Sequence, residues 1–316
     1  MGVPDVLVIG AGVSGLTTAI ALAESGRRVR IIAEYPSRQS TSAAAGASWG
    51  PYMVSDPRVL GWSRTSRFAL EAIARERTDT GVRLVQGLET DVGDVEPPGW
   101  AMEIEDFRLC RSSELPPGYA TGWRYTIPIV NMLKYLTYLN DRLATHDVRV
   151  EIQRVTSFQE LAGAARVIVN CTGLASRELV PDQGLFPVRG QLMVVDNTDN
   201  KIDWFFQDNT NGENLTYFYP HGSHVVLGGC AIEHTSDMDP DEETAAGILK
   251  RCAAIEPRLL DAVKIEDRVG LRPTRGSVRT ERVEFDGLSI IHNYGHGGAG
   301  VTLSWGCAQE VSRLID

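Results

Sequence analysis

Three glycines, Gly10, Gly12 and Gly15, sit in the turn Gly10-Ala11-Gly12-Val13-Ser14-Gly15 directly after the apolar run Val6-Leu7-Val8-Ile9. An acid, Glu34, follows the third glycine at the distance expected of the ribose-binding carboxylate of a dinucleotide site. Each glycine has its own task. Gly10 permits the tight turn, Gly12 lets the backbone approach a pyrophosphate, and Gly15 lets helix and strand pack, while the helix N-terminus offers free N–H groups to the anion. Glu34 would accept the ribose hydroxyls of an adenosine half and would repel a 2′-phosphate, which argues against NADP. The turn alone admits NAD as readily as FAD.

A second glycine-rich segment, His292-Asn293-Tyr294-Gly295-His296-Gly297-Gly298-Ala299-Gly300-Val301-Thr302, precedes an apolar helical pattern. It predicts another close approach of backbone to ligand, with amides at a second helix N-terminus able to meet the electron-rich N1–C2=O edge of a flavin. His292 and His296 in such a loop are expected to be hydrogen-bonded scaffolding rather than bases. Cys110, Cys171, Cys230, Cys252 and Cys307 show no C-x-x-C or His-flanked spacing, so no metal site is expected and the thiols read as buried or inert, with one disulfide left open as the alternative.

These segments need elements to hold them. Residues 6–9, a helix over 14–25 ended by Gly26, and a strand over 29–33 make one βαβ unit. Asp56-Pro57 predicts the cap of a helix over 58–76, followed by a strand over 82–86. Residues 91–122, rich in Pro, Gly and Glu, read as irregular. Apolar residues at helical spacing predict a helix over 129–143, and strands are expected from 148 and over 167–170, the latter ending in the turn at Gly173. Segments 192–195, 215–219 and 224–228 read as antiparallel strands, the last two joined by Pro220-His221-Gly222-Ser223. Asp239-Pro240 predicts a helix cap, with strands over 264–272 and 288–293 and a final helix over 300–315. Nucleotide-type structure at both ends with β structure between implies a discontinuous cofactor domain. The substrate would lie between the lobes.

The chain has 316 residues, enough for two packed lobes. Its net charge of −10 and lack of clustered Lys or Arg argue against nucleic acid or anionic lipid as a partner. No stretch approaches the ~20 apolar residues of a membrane span. The first apolar run lacks a basic leader, and neither the Met1-Gly2 start nor the Leu314-Ile315-Asp316 end carries an address, so the cytosol is expected.

Five blocks resemble the D-amino-acid oxidase family of FAD enzymes: residues 8–16; Ala44-Ala45-Gly46 through Pro51-Tyr52; residues 167–173; Val269-Gly270-Leu271-Arg272-Pro273; and residues 292–298. The resemblance runs along essentially the whole chain. It implies an α/β fold, a Rossmann-like, glutathione-reductase-like FAD-binding domain with a second antiparallel β-sheet substrate domain. The FAD-binding part would comprise residues 1–53, 131–180 and 265–316, and the substrate part residues 54–130 and 181–264. It implies that Ser40, Thr41, Ser42, Ala45, Gly46 and Ala47 line the FAD, that Val155 and Gly173 lie along it, and that Gly297, Gly298, Gly300, Val301 and Thr302 meet the isoalloxazine. The family's carboxylate-binding arginine falls on Arg272, which would also touch the cofactor, its partner tyrosine on Tyr217, and the carbonyl that accepts the substrate amine on Gly298. Read without the resemblance, Arg272 is a surface ion-pair residue and Tyr217 a strand-face aromatic.

The implied reaction is hydride transfer from Cα of a D-amino acid to flavin N5, with hydrolysis of the imino acid to a keto acid and ammonia and reoxidation by O2 to H2O2. Two features depart from the family. Residues 207–215 carry Asn209, Asn211, Gly212, Glu213 and Asn214 but no aromatic, so the lid is expected to be shorter or differently built. No arginine stands between Arg189 and Arg251, which favours neutral side chains over D-aspartate, although Arg124 could supply a charge from afar. A glycine or sarcosine oxidase, a D-aspartate oxidase, an NAD-dependent dehydrogenase and a flavin-binding regulator are the competing readings. A monomer or homodimer is expected.

Overall fold

The structure is a computed structural model in which residues 4–52, 54–199, 201–208, 210 and 212–316 are described. In chain order the strands and helices are β1 (Val6–Ile9), α1 (Val13–Glu24), β2 (Val29–Ala33), α2 (Val59–Glu76), β3 (Val82–Asp91), α3 (Gly99–Met102), β4 (Arg108–Leu109), β5 (Thr121–Val130), α4 (Met132–Ala144), β6 (Val150–Ile152), β7 (Val167–Asn170) and α5 (Ser176–Leu179). There follow β8 (Phe186–Asp196), β9 (Phe205–Asp208), β10 (Asn214–Pro220), β11 (His224–Cys230), β12 (Ile232–Glu233), α6 (Glu242–Ile255), β13 (Lys264–Phe285), β14 (Leu288–His296) and α7 (Gly300–Ile315).

Fully apolar strands sit where both faces are covered, and β1 is buried at every position. It lies between β2 and β7, parallel to both, and the parallel set extends to β6 on one side and β14 on the other. Helices α1, α4 and α7 pack on one face of this set, while Leu7, Ile9, Phe158, Leu161 and Ile290 fill the other. The antiparallel strands β8, β10 and β11 join the parallel set through β13 and β14, giving one hydrogen-bonded sheet ordered β4-β5-β3-β9-β10-β11-β8-β13-β14-β7-β1-β2-β6, with β12 beside β8. Helix α6 covers the antiparallel part with Ala245, Ile248 and Cys252. The carboxyl ends of β1, β2 and β7 open on the same side, the crevice where open α/β sheets hold ligands.

Several expected boundaries shift for identifiable reasons. Ile129 and Val130 belong to strand β5, not to a helix: their apolar pattern continues both ways, and Asn131 stops the strand by capping α4, its side chain accepting from the Lys134 N–H at 3.2 Å. The cap of α2 is Arg58, and Asp56 instead accepts the Arg58 N–H at 2.9 Å and holds its guanidinium. Asp241, rather than Asp239, caps α6, accepting from Thr244 at 2.7 Å. Strands β3, β8 and β13 are longer than their apolar runs: β3 and β8 continue through buried polar residues such as Glu89, Thr90, Arg189 and Gln191, which interrupt the apolar pattern, and β13 continues through residues that pair while half exposed. The expected lid residues Asn209 and Asn211, and the start at Met1-Gly2, lie outside the described residues. All five cysteines are free thiols, and no cluster of metal-ligating side chains is found among the described residues. Among those residues no helix is long and apolar enough to cross a membrane.

Candidate active site

One cavity of about 480 Å³ runs from Glu34, Gln153 and Val155, past residues 10–14 and 40–47, to Gly297, Gly298, Gly300 and Val301, and ends among Arg272, Tyr217 and Tyr52. Its first stretch is built by the turn after β1. Gly10 has a φ of +109°, and a Cβ there would lie 2.4 Å from the Cys171 carbonyl oxygen. A Cβ at Gly15 would lie 1.9 Å from the Gly10 oxygen, so this glycine seats α1 against the strand and stands behind the cavity wall rather than in it. Ala11, Gly12, Val13 and Ser14 face the cavity. The Val13 N–H donates to Ser42 Oγ at 3.0 Å, which ties the segment of Thr41 and Ser42 to the start of α1. At the far end of this stretch Glu34 leaves β2 beside Arg154, whose Nε is 3.5 Å from its carboxylate.

The second glycine segment does the same at the other helix. Gly297 has a φ of +54°, and α7 begins at Gly300 with no side-chain cap on its first turn. A Cβ at Gly298 would lie 2.5 Å from Cδ1 of Tyr52, so backbone alone fits between that ring and the cavity. Two helix N-termini therefore open on one cavity lined by unsubstituted backbone, a cradle that fits the pyrophosphate and the electron-rich flavin edge of FAD. Ser40, Thr41, Ser42, Ala45, Gly46, Ala47, Val155 and Gly173 all line it. Thr302 does not: its Oγ1 donates to the Gly50 carbonyl at 2.8 Å and accepts from the Gly50 N–H at 3.1 Å, fastening α7 to the loop before Tyr52.

Arg272 enters from β13. Its Nη1 donates to the carbonyls of Cys230 at 3.0 Å and Arg189 at 3.4 Å, and no carboxylate pairs with it among the described residues. It is also the only Arg or Lys among those residues that lines the cavity. Arg124 stands elsewhere, its guanidinium 6.0 Å from the centre of the Trp204 ring. Tyr217 projects from β10 opposite Gly228 of β11, and its ring lies over the glycine pair: a Cβ at Gly228 would fall 1.9 Å from Cζ and one at Gly229 would fall 3.0 Å from the hydroxyl. Burial pushes the Tyr217 phenol up to about 12, against the opposing pull of Arg272, so it enters the site as a neutral donor. Burial likewise raises Tyr52.

The histidines are scaffolding. His296 Nε2 lies 3.0 Å from Asn293 Oδ1, and burial lowers it to about 4. His292 Nδ1 lies 3.3 Å from the Asn170 amide, and burial, aided by Arg279, lowers it to about 4. Both stay neutral near pH 7.

Several residues at the Arg272 end of the cavity carry no chemical signal in their local sequence. Tyr52 lies in a block whose only reading was a resemblance, and Gly190, Gly228 and Gly229 look like ordinary strand glycines. Gln207 and Tyr219 also line the cavity, while Glu89, behind them, is fixed by hydrogen bonds to distant residues.

Comparison with known proteins agrees with this geometry. Residues 5–314 match the family of FAD dependent oxidoreductases. A D-amino-acid oxidase of Rubrobacter xylanophilus is 44% identical over 314 residues, covering 98% of this chain and 94% of that protein. A D-aspartate oxidase of Homo sapiens is 36% identical over 330 residues, covering 100% and 95%. The crystal structure of glycine oxidase from Geobacillus kaustophilus superposes with a TM-score of 0.83 at 20% identity, covering 99% of this chain and 94% of that one, a likeness of fold alone. Because the family match begins at the first strand and ends in the last helix, it takes in every element that builds the cavity, and the chain belongs to the FAD dependent oxidoreductases.

Proposed function

We propose that this protein is a D-amino-acid oxidase acting on neutral side chains. The observation that carries the reading is Arg272, a cation without a carboxylate partner among the described residues, set in the same cavity as the two glycine cradles. A planar guanidinium matches a carboxylate bidentately, and the neutral Tyr217 hydroxyl adds one donor. The absence of any second Arg or Lys from the described cavity wall supports neutral substrates over D-aspartate.

In this reading Gly10, Ala11, Gly12, Val13, Ser14 and Glu34 hold the adenosine and pyrophosphate portion of FAD, and Gly297, Gly298, Gly300 and Val301 hold its flavin. Bound FAD supplies the two-electron acceptor, and O2 then carries those electrons away as H2O2 while the amino acid becomes a keto acid and ammonia. The protein's own work is orientation. Arg272 and Tyr217 pin the carboxylate, and the Gly298 carbonyl accepts from the amine. With two substituents fixed, one enantiomer alone turns its Cα–H toward the flavin side of the cavity. No side chain has to move a proton when the amine enters neutral, which accords with two histidines locked in scaffolding bonds.

We assign residues 1–53, 131–180 and 265–316 to the FAD-binding part and residues 54–130 and 181–264 to the substrate part. The cytosol and a monomer or homodimer complete the reading, with O2 and a small D-amino acid as the only partners. Anaerobic addition of D-alanine, D-valine, D-aspartate and sarcosine to the yellow protein tests it. Bleaching by the neutral D-amino acids, with H2O2 on admitting air, is expected; bleaching by sarcosine alone would overturn it.

A further inference from the structure

Three side chains stand in one row across the antiparallel part of the sheet. Tyr217 of β10 is the register partner of Gln207 of β9, and Gln207 is the register partner of Glu89 of β3. Directly opposed residues on neighbouring strands project from the same face. Tyr217 and Gln207 both line the cavity, and Glu89 is buried one strand further out. Tyr219 shares the face two residues along β10, stacked on Tyr217 with ring centres 4.8 Å apart.

The hydrogen bonds described along this row run one way. Glu89 Oε2 accepts from the Tyr125 hydroxyl and, at 2.8 Å, from Gln207 Nε2. Gln207 Nε2 also donates to the Tyr125 oxygen at 3.0 Å. Both amide hydrogens thus point outward, and turning the amide over would set its oxygen against a carboxylate. Gln207 Oε1 therefore faces the other way, where it accepts from the Tyr219 hydroxyl at 3.0 Å. That bond uses the one proton Tyr219 has. What Gln207 and Tyr219 retain for a ligand is oxygen lone pairs.

Resting on the D-amino-acid reading above, we infer that Gln207 and Tyr219 form the side-chain subsite beside the Arg272–Tyr217 anchor, and that it selects D-amino acids whose side chains present an N–H or O–H donor. A carboxylate side chain meets lone pair against lone pair and is rejected; an apolar isostere is tolerated, since each acceptor already has one bond. Glu89 is a positioning residue: it touches no substrate but decides which way the Gln207 amide faces.

D-asparagine, D-leucine and D-aspartate are near-isosteres and test this directly on the FAD-loaded enzyme. We expect kcat/KM for D-asparagine to exceed that for D-aspartate by about 100-fold, because mismatched buried polar groups discriminate strongly. Gln207→Leu should lower the D-asparagine to D-leucine ratio by about tenfold. The isosteric Glu89→Gln, which lets the amide turn, should narrow the D-asparagine to D-aspartate ratio by about tenfold. Thermal shifts with the unreactive des-amino analogues succinamate, 4-methylpentanoate and succinate should rank in the same order as the turnover. Equal use of D-aspartate and D-asparagine by the unmodified enzyme, or an unmoved ratio in Gln207→Leu, would overturn the subsite while leaving the oxidase reading intact. If no D-amino acid is oxidised, the oxidase reading itself fails and the subsite falls with it.

Discussion

The guanidinium of Arg272 rests flat against Gly190. A Cβ at residue 190 would lie 2.5 Å from Nη2 and 2.6 Å from both Cζ and Nη1. Since the obstructed atoms end a flexible side chain, Gly190→Ala should fold and keep FAD while displacing the cation from the position we propose for binding the substrate carboxylate. A misplacement of this size costs roughly 100-fold in kcat/KM. Arg272→Ala should lose more, because it removes a charge-assisted pair altogether. Steady-state kinetics alongside the flavin absorbance check both, and wild-type kinetics in Gly190→Ala would show that Arg272 does not act from this position.

Tyr217 leans on Gly228 in the same manner, so Gly228→Ala should push the phenol away from Arg272. The expected result resembles Tyr217→Phe: loss of one neutral hydrogen bond, about tenfold in KM, with a smaller change in kcat. Comparing the two variants and their double mutant separates the effects. If the hydroxyl is what the glycine protects, the double mutant is no worse than the more impaired single one.

These glycine contacts mark where the sequence stops being legible. The turns at Gly10 to Gly15 and Gly297 to Gly300 are readable because backbone approach to a ligand demands glycine in a recognisable local pattern. Gly190 and Gly228 serve side chains from other strands, and nothing near them in the chain says so. The same holds for Gln207, whose partner Glu89 is 118 residues away. Element ends were blurred where apolar residues satisfy two periodicities, as at Ile129 and Val130, and where a long strand such as β13 is half exposed and shows no clean alternation. Short-range physics gives the cofactor cradle; the substrate wall comes from strand register.

Gly15 offers a test of the cradle that is independent of substrate. Its added methyl would meet the backbone oxygen of Gly10, which cannot give way as a side chain can. Gly15→Ala should therefore move α1 off the turn and weaken FAD by at least about 2 kcal/mol, roughly 30-fold in Kd. The variant should purify pale and recover colour only with excess FAD. A fully yellow Gly15→Ala protein would show that the turn does not hold the nucleotide in this way.

Acid should destabilise the fold through its buried histidines. Burial holds His296 at about 4, and burial with His224 nearby holds His221 at about 3, where the unfolded chain would titrate at 6.5. Above pH 6.5 neither folded nor unfolded chain binds these protons. Below it the unfolded chain binds them first, so stability falls as pH drops and goes on falling until the folded-state values are reached. By pH 5 each of the two costs about 2 kcal/mol, which for a chain of this size lowers Tm by roughly 6 °C in all. Buried His221 Nε2 is 3.2 Å from the Gly46 carbonyl, and Gly46 lines the cavity, so the same acidification should loosen the loop that faces FAD. Tm measured from pH 8 to pH 5 at saturating FAD is expected to decline below about 6.5, with a shallower slope in His221→Gln. A Tm flat across that range would mean that these histidines are not held neutral by the fold.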